Sequence, residues 1–503
     1  MRRFGAPVLI AAVVIAAPAL AALTPTDVAV AAADCQAANR VVGDVDGDGK
    51  SDLLVGVPAW SSNTGEVDLR LTTAPSEILT LTTSGLGIDK QGNAFGAAVV
   101  LADLNDDGCS DIIVGAPGAN SGAGQVHIVL GAEDGFEATG GQTLDSGATS
   151  GDRFGSSLAI APNQAGTGFD LWVGAPLDNV DSATDAGSVV HYVIKNINGD
   201  LDVDSVETIT QNSPGVPGSA EKSDHFGDEL SATVRGVLIG DQHEDVGKAT
   251  DAGSITLLSN IDIDPGFDQA LGWSQASRGV PGNAETGDHF GAAVSAFGEH
   301  VAAGVPDEDV NGSANAGMVQ LFSWSSAMPV PTGEVKQYIP GVPGKVEAGD
   351  RFGAAAVHGR NMGGCSDGSI QIAIGAPGED IKINGLSMVD AGTAVIFTPP
   401  PGSSCIHGVD QGNPLSDGPE KGDRFGTTLA LGRHGDDSAS DRAYLGVPGE
   451  DGGAGIVQST PIGSGANSAG IIVGGSFKSS VGYSGGAQAG MSYGTVIASP
   501  AGE

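Results

Sequence analysis

Positive charge is scarce in this chain: its 503 residues hold 22 Lys plus Arg against 61 Asp plus Glu, for a formal net charge of -39. Such a surface repels phosphates, which excludes nucleic acid as a partner and leaves cations, a basic protein or plain solubility as what the acidity serves. Cysteine is nearly absent, with four residues, too few for a cysteine-stapled fold. No long apolar run occurs beyond the N-terminal region, and no segment outside it carries a convincing helical stripe, which argues against a helical bundle. Glycine, by contrast, is abundant at 81 residues, without the three-residue period of collagen. The apolar fraction is an ordinary 40%, so the chain has the means to fold. Many glycines in a foldable chain imply many tight turns and close backbone approaches, as in an all-β architecture.

The N-terminus reads as an export signal. Arg2 and Arg3 precede the apolar segment "APVLIAAVVIAAPALAAL", and small-residue cleavage sites follow at Ala21 and at Ala33. Residues 1–33 are therefore assigned to a signal peptide, with cleavage after 21 or 33, and 34–503 to the mature body. A retained membrane anchor is the alternative, and it is the one route to a membrane.

Three marks then recur in a constant order. An aromatic-glycine step appears at Phe95, Phe154, Phe226, Phe290, Phe352 and Phe425, usually as a variant of "GDRFG". An apolar run ending in Gly-X-Pro follows, as in "IIVGAP" to Pro117 and "LWVGAP" to Pro176, with "VLIGDQ" its proline-free form. A glycine opening a β-rich run comes third, as in "GQVHIVL" and "GMVQLF". The second and third marks each occur seven times, roughly sixty to seventy residues apart. Short Val, Ile and Leu runs bounded by Gly, Pro and Asp are strands, and seven units too small to bury their own faces must stack. A closed ring of four-stranded blades leaves no exposed end, so the expected fold is an all-β, seven-bladed β-propeller.

The segment "FGAAVVLADLNDDGCSDIIVGAPGANSGAGQVHIVLG", residues 95–131, resembles an FG-GAP repeat, the unit of the propellers of integrin α-subunits and of many secreted bacterial proteins. Blade 4 departs from it in lacking Gly-Ala-Pro, and the first unit has no Phe-Gly ahead of it. Ring closure is expected to draw on the C-terminal segment 490–499, with Tyr493-Gly494 as the missing aromatic-glycine step. "NRVV" is the alternative inner strand.

Two loops carry metal chemistry. "DVDGDGKSD" sets Asp44, Asp46, Asp48 and Asp52 at positions 1, 3, 5 and 9, with the Lys50 carbonyl at position 7. "DLNDDGCSD" repeats this with Asp103, Asn105, Asp107 and Asp111, and the Cys109 carbonyl. Alternate oxygens in a tight loop suit a hard cation with a flexible shell, which selects Ca2+ over Mg2+. An EF-hand would need a glutamate at position 12, where Val55 and Val114 stand, and strands follow in place of helices. The resemblance implies calcium in just such a loop, so two structural calcium sites are expected. "HGDDSASD" keeps Asp436, Asp437 and Asp441 at the wrong spacing.

A second acidic series follows the Gly-X-Pro turns: Asp178, Asp181, Glu244, Asp245, Asp307, Glu308, Asp309, Glu379, Asp380, Glu450 and Asp451. In a four-stranded meander these loops leave the face opposite the calcium loops, which the resemblance makes the ligand face. They read either as a binding rim for a basic or calcium-bridged partner or as a soluble edge of turn-forming side chains. Four cysteines allow three pairings. Cys365 and Cys405 sit in two loops on one face of blade 6, which favours their pairing and leaves Cys35 for Cys109 on neighbouring blades.

Enzyme signals are weak. Ser484 in "GYSGG" satisfies G-x-S-x-G but lacks the strand and helix a nucleophile elbow needs. The slot before each Phe holds Arg153, Arg351 and Arg424 as readily as His225 and His289, which marks a turn flank. The expectation is a secreted or cell-surface, calcium-binding adhesion or protein-binding module, not an enzyme, whose ligand is an extracellular protein or cell-envelope component. The alternatives are an extracellular hydrolase of the lipase-associated FG-GAP type and a structural envelope component.

Overall fold

The computed structural model describes most of the chain from Cys35 to residue 500. Outside the described residues lie 1–34, 36–40, 460–476, 479–495, 501–503 and shorter stretches, the longest being 72–77, 260–268, 363–368, 400–404, 412–417 and 434–440.

Each repeat supplies the antiparallel strands of one sheet, three in blade 1 and four in the others, because short runs bounded by glycine turns fold back on themselves without a crossover. Seven such sheets form the blades of a β-propeller, numbered here in chain order. The innermost strands of blades 2 to 7 are Ala98–Ala102, Ser157–Pro162, Glu229–Thr233, Val294–Phe297, Ala355–Arg360 and Leu429–Arg433. Blade 1 is built from Leu53–Gly56, Glu66–Arg70 and Leu79–Thr82, and its fourth strand comes from the far end of the chain. Val496 and Ile497 pair antiparallel with Gly56 and Val55, and Ser499–Pro500 then run parallel to Val100 and Leu101 of blade 2. Tyr493 and Gly494 lie outside the described residues. Blade 6 adds a small hairpin, Ile381–Ile383 with Leu386–Met388, to its loop between the second and third strands.

The core is divided in the same way as the repeats. Seven clusters of buried apolar side chains lie between neighbouring sheets, from the one joining Val67 and Leu69 to Val99 and Leu101 round to the one joining Tyr444 and Val457 to Leu53, Val55 and Ile497. Each blade therefore buries its faces only against its two neighbours, and the last cluster brings blade 7 onto blade 1.

The "GDRFG" motif is the joint between blades. All six Phe rings are fully buried, Phe154 lying among Val126 and Ile128 of blade 2 and Leu158 and Val173 of blade 3. The amide of Phe154 donates to the Ala123 carbonyl of the preceding blade, and that of Gly155 to Gly174 of its own. Four of the other five Phe-Gly steps repeat both bonds, and Phe226 repeats the first. The Gly155 carbonyl lies against the α-carbon of Gly115 in blade 2 so closely that a methyl group at 115 would collide with it. The same mating joins Gly174 to Gly227, Gly240 to Gly291, Gly304 to Gly353 and Gly375 to Gly426. The motif's aspartate closes the preceding turn: Asp288 Oδ2 accepts the Glu285 amide at 2.6 Å, as Asp350 does from Glu347. The slot holding Arg153, His225, His289, Arg351 or Arg424 is left-handed, with φ between 55° and 61°. It is a turn position, which explains why it tolerates either basic residue.

The strands enclose a central channel of about 460 Å³, lined by inner strands from blades 2 to 7 and by Ile497. No helix among the described residues is long and apolar enough to cross a membrane.

Candidate metal centre

The two aspartate loops occupy equivalent places, each leading into the second strand of its blade, Leu53–Gly56 and Asp111–Ala116. Both fold by their own carboxylates. In blade 1, Asp44 accepts the amides of Asp48 at 3.0 Å and Gly49 at 2.7 Å, Asp46 also accepts from Asp48, and Asp48 accepts from Lys50. Asp52 Oδ2 accepts the Val45 amide at 2.8 Å. Blade 2 repeats the set: Asp103 accepts from Asp107 and Gly108, Asn105 from Asp107, Asp107 from Cys109, and Asp111 from Leu104. Gly49 and Gly108 turn the chain with φ of 86° and 102°, which lets the loop wrap around its own side chains.

The donor set fits a hard divalent cation. One carboxylate oxygen each from Asp44, Asp46 and Asp48 lies within 4.8 Å of the others. Burial, together with the charges of Asp48 and Asp46, pushes Asp44 up to about 7. Asp111 is likewise pushed up to about 7 by burial, with Asp107 and Asp103 adding to it. Crowded carboxylates that resist ionisation are the state a bound cation would relieve.

The loops are adjoined. The Ser110 amide donates to the Asp44 carbonyl at 2.6 Å, and the Gly43 amide donates to the Ser110 hydroxyl at 3.0 Å. Cys35 and Cys109 form a disulfide with their α-carbons 5.3 Å apart, next to Gly47 of the first loop. The cluster of Cys35, Cys109 and Asp107 is therefore no thiolate site. Cys405 is also disulfide-bonded, while Cys365 lies outside the described residues.

The corresponding loops elsewhere are closed in other ways. In blade 3 the Asn163 side chain binds both the amide and the hydroxyl of Thr167. Blades 4 and 5 turn within two residues, between Thr233 and Gly236 and between Phe297 and His300. In blade 7 Asp436 and Asp437 fall outside the described residues.

The second acidic series differs from a solvent rim at its key position. Glu308, Glu379 and Glu450 are buried, and with Glu244 each accepts a hydrogen bond from a buried glutamine of the preceding blade. The pairs are Gln211–Glu244 and Gln275–Glu308 at 2.7 Å, Gln337–Glu379 at 2.6 Å, and Gln411–Glu450. Burial, with Asp350 next, pushes Glu379 up to about 8; burial also pushes Glu244 up to about 7. The following aspartates serve their own turns, Asp245, Asp309 and Asp380 accepting the amides of Asp251, Asn315 and Asp390. Asp307 pairs with His289 at 2.7 Å and Arg351 at 3.0 Å. Three of the four glutamines carry a sequence mark, in "TQNSPGVPG", "SQASRGVPG" and "KQYIPGVPG", where Gln stands four residues ahead of a repeated Gly-Val-Pro-Gly; Gln411 does not. They escape notice because a polar residue at a strand end reads as surface.

A serine and a histidine meet in the channel wall: Ser295 Oγ lies 3.0 Å from His358 Nδ1, but it also accepts the His358 amide at 3.0 Å. Burial, with His300 nearby, drives His358 down to about 3, so the pair reads as an interstrand tie between blades 5 and 6. Ser484 lies outside the described residues.

The FG-GAP repeat family matches residues 41–69 and 95–129, the strands that carry both aspartate loops. Blades 1 and 2 thus each hold one segment that matches the FG-GAP repeat. Integrin alpha-IIb is similar over part of it: the Mus musculus protein is 41% identical over 145 residues, 27% of this chain and 14% of that protein, and the Homo sapiens protein 40% over 152. Integrin alpha-8 of Mus musculus is 32% identical over 189 residues, 34% of this chain and 16% of its own. The match thus spans only 14% to 16% of the length of these integrin relatives. The periplasmic gluconolactonase PpgL of Pseudomonas aeruginosa overlays 82% of this chain and 96% of its own at a TM-score of 0.35 and 15% identity, too distant a likeness to bear on function.

Proposed function

We propose that this FG-GAP propeller is an exported, calcium-stabilised module that binds an extracellular protein or cell-envelope ligand and does not catalyse a reaction. The observation that carries the reading is the pair of self-folded aspartate loops, each inside a segment that matches the FG-GAP repeat. Asp44, Asp46, Asp48 and Asp52 with the Lys50 carbonyl would hold one ion, and Asp103, Asn105, Asp107 and Asp111 with the Cys109 carbonyl a second. Calcium when bound supplies positive charge that neutralises the crowded carboxylates. The protein's own part is to hold those oxygens in rigid turns, so the role is structural, keeping blades 1 and 2 in place. Residues 1–33 would be removed on export, and the Cys35–Cys109 disulfide suits an oxidising compartment.

Binding to the folded form alone stabilises it by mass action, about 2.7 kcal/mol at a hundredfold excess over Kd. The thermal midpoint is therefore expected to fall in excess chelator and to recover with added calcium. An unchanged midpoint in protein shown by metal analysis to be cation-free would overturn the calcium assignment. Pull-downs from envelope and extracellular material, with and without calcium, test the binding role.

A further inference from the structure

We propose that the two aspartate loops form one coupled unit, bridged by the Cys109–Ser110 peptide and clamped by the Cys35–Cys109 disulfide, so that a divalent cation in one raises the affinity of the other. This rests on the reading that the loops bind cations. It adds that they do not bind independently.

The bridge is a single peptide group. Its carbonyl, from Cys109, is the position-7 donor of the second loop. Its N–H, from Ser110, donates at 2.6 Å to the carbonyl of Asp44, the position-1 residue of the first. A peptide is planar and stiff, so fixing the carbonyl fixes the direction of the N–H. A cation on the carbonyl also polarises the group and strengthens the hydrogen bond on its far side. Order in the second loop is thus handed to the residue whose two oxygens hold the amides of Asp48 and Gly49 in the first. The Ser110 hydroxyl adds a second tie, accepting the Gly43 amide at 3.0 Å. Both ties sit in a buried place, Ser110 being 2% exposed and Asp44 fully covered.

The disulfide closes the unit from outside. A β-carbon at Gly47, midway along the first loop, would lie 3.1 Å from Cys109 Sγ and 3.1 Å from the Cys35 α-carbon. The middle of the first loop therefore rests on the covalent link that holds the position-7 residue of the second. Further along, Asp111 Oδ1 accepts the Gly131 amide at 2.9 Å, and a β-carbon at Gly131 would stand 3.0 Å from the Val45 carbonyl. The second loop's last carboxylate is thereby seated against the first loop as well.

The test is calcium titration of the oxidised mature chain by calorimetry, alongside Asp48→Ala, which disables the first loop, and Asp107→Ala, which disables the second. Coupling predicts two ions with a Hill slope above 1. It predicts that each one-loop variant binds its remaining ion at least about fivefold more weakly than the wild type binds its second, by the same factor in both, because coupling is reciprocal. Ser110→Ala and Cys35→Ser should lower the slope while keeping two ions, and Ser110→Thr should restore it. Cation-free melting of each variant identifies any that fails to fold, and the reciprocal variant then supplies the measurement. Two ions with a slope of 1 and unchanged affinities in the one-loop variants would overturn the coupling and leave the calcium reading standing. No binding by the wild type would overturn the calcium reading itself.

Discussion

Phe154 shows what a single residue does in this ring. Its side chain is fully buried between blades 2 and 3, and its amide ties the same two sheets. Truncating it removes apolar contact and leaves a cavity the flanking strands cannot close, so Phe154→Ala is expected to cost about 3 to 5 kcal/mol in denaturant unfolding. A loss below about 1 kcal/mol would exclude the joint role. Glu379 shows the opposite kind of residue, a buried carboxyl facing Gln337. Its pKa is raised to about 8 in the folded protein and is near 4.3 when unfolded. The folded state thus favours the protonated form, and the stability it contributes is complete below about pH 4 and lost as pH rises through 8. A protonated carboxyl also offers a donor near Gln337 Oε1, which is buried without one. Between pH 6 and pH 9 the wild type should therefore lose more stability than Glu379→Gln, by about 2 to 3 kcal/mol. Parallel pH profiles from chemical denaturation would show that the clasp does not titrate.

At the level of the element, the aspartate loop is a turn whose folding and chemistry conflict. Its carboxylates cap its own amides and so define its shape, yet their mutual repulsion strains it without a cation. Asp46→Asn separates these effects, because the second loop already carries Asn105 at the same position. In chelator, Asp46→Asn is expected to be as stable as the wild type or more so, by about 1 kcal/mol, as one of three converging charges is removed. Its calcium-induced rise in thermal midpoint should be smaller. A variant less stable in chelator and equally responsive to calcium would contradict both halves. The loops were legible from spacing because oxygens at alternate positions are a local pattern. The Gln–Glu clasps were not, since each joins residues 33 to 42 apart, and a glutamate after a turn carries no mark of the glutamine that buries it.

For the whole molecule the governing fact is closure. Blade 1 receives Val496 and Ile497 as a strand, and Ile497 joins the cluster between blades 7 and 1. Removing residues 496–503 would bare the inner edge of Leu53–Gly56 and open that cluster, and an exposed edge of Leu and Val invites pairing with another chain. The truncated protein should melt at a lower temperature and associate, seen as a larger species in size-exclusion chromatography. A truncation that stays monomeric with an unchanged midpoint would remove the closing role of this segment.

The sequence alone determined the repeat number, the all-β class and the positions of the aspartate loops, because turns, strand alternation and the alternate spacing of side-chain oxygens are encoded within ten residues or so. The same period marked the Phe-Gly steps as scaffold. The tertiary structure alone decided how those steps work: the glycine of one Gly-X-Pro turn meets the glycine of the next Phe-Gly step, across a gap that a methyl group would block. It also decided that the recurring glutamates are inward clasps rather than a rim, and that the two loops touch through Ser110. The reason is common to all three. Contacts between blades join residues tens of positions apart, and only closing the ring brings their partners within reach.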